Sequence, residues 1–267
     1  MIQRKLLVST SIIAAFIAAP LLADGNTVSG LNGTGAFVSS GTGNSLAIEQ
    51  IGQGNSVEAG TATSGQNGNN INLTVSQTGN TNSLLTTQNS ANSQGTITQN
   101  GNGNNASLYQ TGGGHNTANA SQSGTGNMVD FLQQDTTSNS DIATQTGDNN
   151  SAFLWQGEGT SNTANLTQTG SANLTFLLQT GNNNQFTATQ TGSNNTINLE
   201  NQVGNDGATI TQNGNSNNVL GMQMGNADTM SVTQTNNNNS ATIFQNGSTE
   251  AAKVSQSGSG TIFISQH

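Results

Sequence analysis

The sequence has few charged residues, few aromatic residues and no cysteine. Only 6% of its 267 residues are charged and only 4% are aromatic, whereas roughly a quarter of an ordinary globular domain is charged. The absence of Cys excludes disulfides, thiolate nucleophiles and cysteine-based zinc sites. This composition argues against an ordinary globular core.

Proline and basic residues are also scarce. Pro20 is the single proline, so nothing blocks β pairing after that residue. Arg4, Lys5 and Lys253 are the three bases, against twelve acids. A chain this acidic offers no basic surface for nucleic acid or anionic lipid.

The N-terminus has the layout of a secretory signal peptide. Arg4 and Lys5 precede an apolar run from Leu6 to Ala19, and Ala23 ends a plausible cleavage site. The run is too short to span a bilayer. We therefore expect a secreted protein in which residues 1–23 are a signal peptide, residues 24–43 are a flexible N-terminal segment, and residues 44–267 form the folded body.

Glutamine recurs at nearly constant spacing along this body. From Gln77 onward successive members are 10 to 12 residues apart, except between Gln190 and Gln212, where Asn201 occupies the matching position, and about five extra residues lie between Gln50 and Gln77. The series starts at Gln50, continues through either Thr61 or Gln66, and then runs through Gln77, Gln88, Gln99, Gln110, Gln122, Gln133, Gln145, Gln156, Gln168, Gln179, Gln190, Gln212, Gln223, Gln234, Gln245, Gln256 and Gln266. The series predicts about twenty short repeat units.

Each unit alternates with period two. Counting back from the Gln, the second and fourth residues are usually apolar and the sixth is usually Asn or Ser, as in Asn104, Ala106, Leu108 and Gln110. Residues two apart share one face of a strand. Phrases such as QTG and QNG separate the units and contain residue types that tolerate positive φ in turns. Each unit is therefore predicted to be a seven-residue strand and a four-residue turn.

The units alternate in kind, so the full repeat is about 22 residues long. Odd strands end in Thr-Gln or Ser-Gln, as in TITQ, and even strands more often end in an apolar residue and Gln, as in SLYQ. This predicts an all-β fold, a two-sided β-solenoid of about ten 22-residue strand-turn-strand repeats with amyloid-like cross-β stacking. The inward Gln and Asn side chains of successive coils would then form amide hydrogen-bond ladders.

Three acidic residues fall on positions predicted to face inward. Asp228 and Glu250 occupy the strand-start position, six residues before a Gln, and Asp141 lies deeper within its strand. A buried charge is costly unless it is paired. We therefore expect a bulge or a weak strand at Asp141.

One segment matches a known repeat pattern in full. The pattern S-x5-Q-x-G-x-[GN]-N-x-A-x3-Q is met by Ser93, Gln99, Gly101, Gly103, Asn104, Ala106 and Gln110. Over about residues 44 to 266 the chain resembles curlin, the subunit of curli amyloid fibres. The resemblance implies a secreted fibre subunit that leaves through an outer-membrane pore largely unfolded and polymerises at the cell surface. It also implies a second curlin subunit as partner and a secretion-targeting leader within residues 24–43.

The two outward faces are predicted to differ. Odd strands present pairs of Thr that resemble the array of an ice-binding solenoid, namely Thr96 and Thr98, Thr187 and Thr189, and Thr209 and Thr211, with interruptions at Asn119, Asn165 and Lys253. Even strands present a lateral apolar face made of Tyr109, Leu132, Phe153, Trp155, Phe176, Leu178, Met222 and Phe244. An apolar patch of that size is unusual on an isolated soluble monomer.

Candidates for catalysis or metal binding are few. His115 and His267 are the only histidines, so metal triads and nucleophile-base pairs lack parts. The glycines at Gly101 and Gly103 resemble a nucleotide-binding loop but belong to the turn series and precede no predicted helix. We expect no enzyme, no cofactor, no metal site and no nucleic-acid partner.

The leading hypothesis is a structural subunit that polymerises into curli-like fibres on the cell surface. Such fibres would serve biofilm matrix, adhesion and surface attachment. The chain ends one residue after its last predicted strand, at Gln266, and this open edge is expected to pair between molecules. A monomeric ice-binding β-solenoid and a passive surface adhesin are the alternatives.

Overall fold

A computed structural model describes residues 27–29, 39–40, 42–59 and 66–267, and all regular elements of this part of the chain are β-strands. In chain order they are β1 (Thr27–Ser29), β2 (Ser39–Ser40), β3 (Ser45–Ile51), β4 (Ser56–Ala59), β5 (Gln66–Asn67), β6 (Asn72–Asn80), β7 (Ser83–Gln88), β8 (Gln94–Asn102), β9 (Asn105–Thr111), β10 (Thr117–Thr125), β11 (Met128–Thr137), β12 (Ser140–Asp148), β13 (Ser151–Thr160), β14 (Thr163–Ser171), β15 (Leu174–Thr180), β16 (Gln185–Ser193), β17 (Thr196–Val203), β18 (Gly207–Asn213), β19 (Asn218–Gln223), β20 (Thr229–Thr235), β21 (Asn239–Gln245), β22 (Ala251–Ser257) and β23 (Gly260–Gln266). The expected signal peptide and most of the N-terminal segment lie outside the described residues. None of the described ranges holds a helix that is long and apolar enough to cross a membrane.

The strands form two parallel sheets, and the chain passes from one to the other and back in every coil. Sheet A has the order β1-β3-β6-β8-β10-β12-β14-β16-β18-β20-β22. Sheet B has the order β2-β5-β7-β9-β11-β13-β15-β17-β19-β21-β23, and β4 also pairs with β7. The predicted all-β solenoid is confirmed, with about nine turns at a spacing near 22 residues. Each coil rises about 4.8 Å along the axis, the spacing of paired strands.

Identical positions of successive repeats are paired. In sheet A, Gln99 pairs with Gln122 and Gln122 with Gln145. In sheet B, Gln66 pairs with Gln88. Gln66 therefore supplies the position that the sequence left open between two candidates, and Thr61 lies outside the described residues.

Alternate residues of each strand point into the space between the sheets. In β8, Ile97 and Gln99 are buried while Thr96 and Thr98 are exposed. The buried apolar side chains form columns that run along the axis, and Phe131 and Phe186 are the largest among the fully buried ones. Removing apolar surface from water stabilises the stack by roughly 25 cal/mol per Å².

The strands of sheet A are longer than the sequence predicts. Most of those from β6 to β16 have nine residues rather than seven, because the QTG-type phrases continue the pairing instead of forming the turn. Gly101 pairs with Gly124 at positive φ, 131° and 120°. A Cβ added to Gly101 would lie 1.9 Å from the Gly124 carbonyl oxygen. Glycine is required at this point because the backbones of successive coils touch there.

Two other expectations from the sequence were wrong. The ladder position assigned to Asn201 is occupied by Gln202, because the register between β15 and β17 shifts after Leu177 and inserts one residue into β17. The bulge expected at Asp141 is absent, since β12 pairs without interruption with both β10 and β14.

Candidate functional surfaces: amide ladders, open edges and outward faces

A column of glutamine amides runs through the interior beneath sheet A. The side chains are buried, and each Nε2 donates to the Oε1 of the Gln in the next coil over 2.7 to 3.0 Å. The column consists of Gln50, Gln77, Gln99, Gln122, Gln145, Gln168, Gln190, Gln212, Gln234 and Gln256. All of these bonds point from the N-terminal coils toward the C-terminal ones.

A second glutamine column lies beneath sheet B and has the same direction. Its donor-acceptor distances are 2.8 to 3.2 Å, and it consists of Gln88, Gln110, Gln133, Gln156, Gln179, Gln202, Gln223, Gln245 and Gln266. From Gln110 onward each amide also reaches a backbone carbonyl of the facing strand, as Gln133 Nε2 does with Thr117 O at 3.0 Å. Both amide protons are thus used, and a side chain with fewer donors would leave acceptors unpaired.

The strand-start positions form a further pair of columns, made mostly of Asn. Asn104 Oδ1 accepts the backbone N–H of Asn127 at 3.0 Å. Asn127 Nδ2 donates to the carbonyl of Gly147, one coil further on, at 2.7 Å. The Asn amide therefore joins the turn of one coil to the turn of the next, and it satisfies backbone groups that the strands leave unpaired.

Three consecutive strand-start positions of sheet A carry acids instead of Asn. Asp206 and Asp228 are buried and Glu250 is partly buried. Asp206 Oδ1 accepts the Asp228 N–H, and Asp228 Oδ1 accepts the Glu250 N–H, both at 2.9 Å. The second and third of these acids were predicted from the sequence to face inward. Asp206 was not, although it also lies six residues before a Gln, Gln212.

Asp141 is the one acid inside the apolar columns. It is 0% exposed and is paired in register with Ala118 on one side and Ala164 on the other. Burial raises the pKa of Asp141 well above its usual range, and the nearby Gln133 amide offsets this only in part. The protons of that amide already go to Thr117 O and to Gln156 Oε1, so neither Asp141 oxygen accepts a hydrogen bond.

The two ends of the solenoid differ. Part of the N-terminal edge is covered, since the three-residue β1 pairs with β3 and the two-residue β2 pairs with β5. Within the described residues, no strand pairs with the outer edge of β22 or β23. In β23, Ile262 and Ile264 are only partly buried and Phe263 is 66% exposed. The last coil therefore presents both backbone groups and apolar side chains that interior coils cover.

The predicted lateral apolar face points outward from sheet B. Tyr109 is 40% exposed and the other residues of the set are half-buried. The Phe153 and Phe176 rings stack in neighbouring coils, with centroids 5.2 Å apart and planes 4° apart. Asp130 interrupts the face, and burial raises the pKa of its carboxyl above the usual range, offset in part by a hydrogen bond with Ser107.

The outward face of sheet A is polar and rich in hydroxyls. The position just before the Gln holds only Ser or Thr over nine coils, namely Ser76, Thr98, Ser121, Thr144, Thr167, Thr189, Thr211, Thr233 and Ser255. The predicted Thr pairs of β16 and β18 lie in register. Ile142 interrupts the next column and is 39% exposed.

Groups suited to catalysis or metal binding are not brought together in the described part of the chain. Its residues contain no cluster of three or more His, Cys, Asp or Glu side chains that would hold a metal ion. His115 is exposed at a turn with φ of 60°. The features that the fold does bring together are the ladders, the edges and the two outward faces.

Comparison with known families places a repeat model on the middle of the solenoid. The model of the curlin associated repeat matches residues 142–170 and again residues 159–192. These residues cover β12, β14 and β16 of sheet A with β13 and β15 of sheet B. No curated protein matches the chain. Residues 142–192 therefore carry curlin associated repeats.

Proposed function

We propose that this protein is a structural subunit that polymerises end to end into extracellular, curli-like fibres. The observation that supports the proposal is the open edge of the last coil. Every strand from β6 to β21 hydrogen-bonds on both sides, whereas β22 and β23 pair on one side only among the described residues. An exposed edge of this kind is a template for another strand. Growth would add coils that repeat the bonds already present inside each subunit.

The direction of the backbone groups identifies the residues that would meet the next molecule. At the strand starts of sheet A, outward residues donate their N–H to the following coil, as Thr229 N does to Glu250 O at 2.8 Å. Residues two apart along a strand point the same way. In β22, Lys253 and Ser255 therefore direct their backbone N–H groups to the open edge.

Replacing Ser255 with Pro is expected to block fibre growth without breaking a bond inside the subunit. The substitution removes an N–H that points away from the fold, and proline is tolerated on edge strands. A carbonyl left unpaired at each junction costs about 1 to 3 kcal/mol, so seeded elongation should slow about tenfold or more. The measurement is the growth rate of preformed seeds with the chain lacking residues 1–23.

The matched control is Ser255→Val, which keeps the backbone N–H at the same residue. It should elongate at the rate of the unsubstituted chain, and circular dichroism of the soluble chains should show the same β content for all three. Equal growth of the proline variant, or no growth of the unsubstituted chain at tens of micromolar over days, would reject end-to-end stacking.

We further propose roles in biofilm matrix, adhesion and surface attachment, which follow from a fibre located at the cell surface. Secretion through an outer-membrane pore and nucleation by a second curlin subunit belong to the same proposal. Both are supported by the repeat family rather than by a surface of this molecule. No catalytic role is proposed.

The lateral apolar face is proposed to hold filaments together side by side or to attach them to apolar surfaces. Replacing Phe153, Trp155, Phe176 and Leu178 with Thr should reduce bundling and adsorption to hydrophobic plates while elongation persists. The physical reason is that burying apolar area of these side chains between filaments stabilises the contact by roughly 25 cal/mol per Å². Electron microscopy of filament width and plate-binding assays measure the effect.

A control with the same number of outward substitutions lies on sheet A. Changing Thr144, Thr146, Thr167 and Thr169 to Ser should leave bundling unchanged. If the aromatic variant fails to elongate while the remaining fibres bundle normally, the four side chains stabilise the fold and do not join filaments.

A further inference from the structure

At the strand-start positions of the last three coils, the acidic side chains keep the hydrogen-bond acceptor of asparagine but lack its amide donor. In the preceding coils, Asn139 Oδ1 accepts the backbone N–H of Asn162 at 2.9 Å. Asp206 and Asp228 accept the equivalent N–H groups with one carboxylate oxygen at the same distance. The acceptor half of the column therefore continues without change into the acidic coils.

The hydrogen bond that the asparagine amide donates is clearest at Asn162. Its Nδ2 donates to the Gly181 carbonyl oxygen at 2.9 Å. A Cβ added to the nearby Gly159 would lie 1.6 Å from that carbonyl oxygen and 3.2 Å from Asn162 Nδ2. These two short distances mark the place where the amide donor meets the next coil.

The same place in the acidic coils holds two acceptors. A Cβ added to Gly225 would lie 1.6 Å from the Gly247 carbonyl oxygen and 2.6 Å from Asp228 Oδ2. Asp228 Oδ2 thus occupies the position of an amide nitrogen, and it is buried with no hydrogen-bond partner. A protonated carboxylic acid supplies an O–H donor where a carboxylate supplies only lone pairs. One proton on Asp228 would therefore restore the bond that Asn162 makes.

Acidic side chains of the two neighbouring coils face Asp228 along the column. Asp206 faces Asp228 from the preceding coil and Glu250 faces it from the following one, while the His267 backbone lies beside Glu250. Lys253 is exposed on the outward face of β22 and does not approach the column. Burial raises the pKa of Asp206, the nearby Asp228 charge adds to the rise, and hydrogen bonds from the Asp228 and Val203 N–H groups oppose it.

We propose that the last three coils form an acid-sensitive end of the solenoid, in which protonation of Asp228 and Glu250, each with a buried carboxyl oxygen that lacks a hydrogen-bond partner, orders the coils and ionisation loosens them. Because β22 and β23 carry the open edge, acid also favours fibre growth at this end. The second statement rests on the proposed function, and the first does not. The acids thereby act as a regulatory element of the surface that joins subunits.

The first test follows hydrogen exchange in the soluble chain at about pH 3 and about pH 7.5, below and above the range in which Asp and Glu side chains ordinarily titrate. After correction for intrinsic exchange, amides of residues 229–235 and 251–257 should lose about tenfold or more of their protection at the higher pH. Asp228→Asn, which restores the amide of the other coils, should remove most of this difference. Asn162→Asp should introduce a similar loss in β14.

A matched control carries equal charge changes on exposed acids, as Glu49→Gln, Glu58→Gln and Glu158→Gln against the triple variant Asp206→Asn, Asp228→Asn and Glu250→Gln. The control should keep the pH dependence of the unsubstituted chain, and the triple variant should lose it. The inference is overturned if both triple variants respond alike, because net charge alone would then explain the effect.

The second test measures seeded elongation at the same two pH values. Growth of the unsubstituted chain should be about tenfold faster at the lower pH, the effect of pairing one buried polar group at the growing end, and the Asp228→Asn variant should grow at similar rates at both. If no variant elongates, the proposed function fails while hydrogen exchange still decides the inference. If all elongate with one shared pH profile, the function stands and the acid-sensitive end is rejected.

Discussion

Replacing Gln99, Gln122 and Gln145 with Leu is expected to slow fibre growth by about tenfold or more and to destabilise the soluble solenoid by several kcal/mol, at about 1 to 3 kcal/mol for each buried group left unpaired. The three residues occupy the middle of the ladder beneath sheet A. Their loss removes the acceptor of Gln77 Nε2 and the donor to Gln168 Oε1. The effect should exceed that of a single substitution because each change leaves a different neighbour unsatisfied.

The backbone carbonyls of the facing strands would also lose donors. Ser83 O, Asn105 O and Met128 O accept from these amides at 2.8 to 3.0 Å. Equilibrium denaturation of the soluble chain and seeded growth measure the two effects.

The matched control changes the outward neighbours in the same strands, Thr98, Ser121 and Thr144, to Leu. This control adds the same apolar side chain in the same three coils but on the outer face, and it leaves the ladder complete, so the fold should keep its stability. Unchanged stability and growth in the glutamine variant would mean that the amides contribute nothing beyond their volume.

Replacing Asp141 with Ala is expected to stabilise the solenoid at neutral pH by at least about 2 kcal/mol, since a buried carboxylate without partners forfeits its hydration. Alanine already occupies the two adjacent positions, Ala118 and Ala164, which are buried at 0% exposure. The pKa of Asp141 is raised well above its usual range by burial. The folded state therefore binds the proton more tightly than the unfolded state, and stability falls as the pH rises from the unfolded value through the raised one.

The pH profile separates this effect from a change in packing. The gain from Asp141→Ala should be largest at neutral pH and should shrink below about pH 4, where the carboxyl is protonated in both states. Denaturant midpoints at several pH values measure it. Asp148→Asn, an equal charge change at the exposed last residue of β12, should show no comparable gain. A loss of stability in Asp141→Ala at neutral pH would show that the carboxylate makes a favourable contact in solution.

The repeating glutamines made the solenoid predictable from the sequence because stacked coils place like residues on like residues. Each coil places the same residue type at the same position of the repeat, so the spacing of Gln99, Gln122 and Gln145 reveals directly which residues pair. Alternation with period two then assigns the inner and outer faces. The same logic locates the strand-start asparagines and the outward aromatic residues.

The departures depend on contacts between coils that one repeat alone does not display. Gln202, rather than Asn201, lies in the ladder. The hydrogen bonds of a buried amide of the right length stabilise the fold by more than the extra residue in β17 costs. Gly101 belongs to a strand because its neighbour in the next coil approaches too closely for a side chain, a constraint that a local turn pattern hides. Asp141 stays in a regular strand because pairing along β12 to both neighbours holds the backbone in place despite the carboxyl.

Because all hydrogen bonds of the glutamine ladders point in one direction, the molecule is polar along its axis, and a subunit stacked on it would continue the same direction. Turning one buried amide around would set two Nε2 groups against each other on one side and two Oε1 atoms on the other, so the amides of a column reverse together or not at all. Their dipoles consequently add along the axis, as peptide dipoles add in a helix. A fibre assembled from such units would be polar, with two chemically different tips. Each added subunit would take the amide direction of the column on which it stacks.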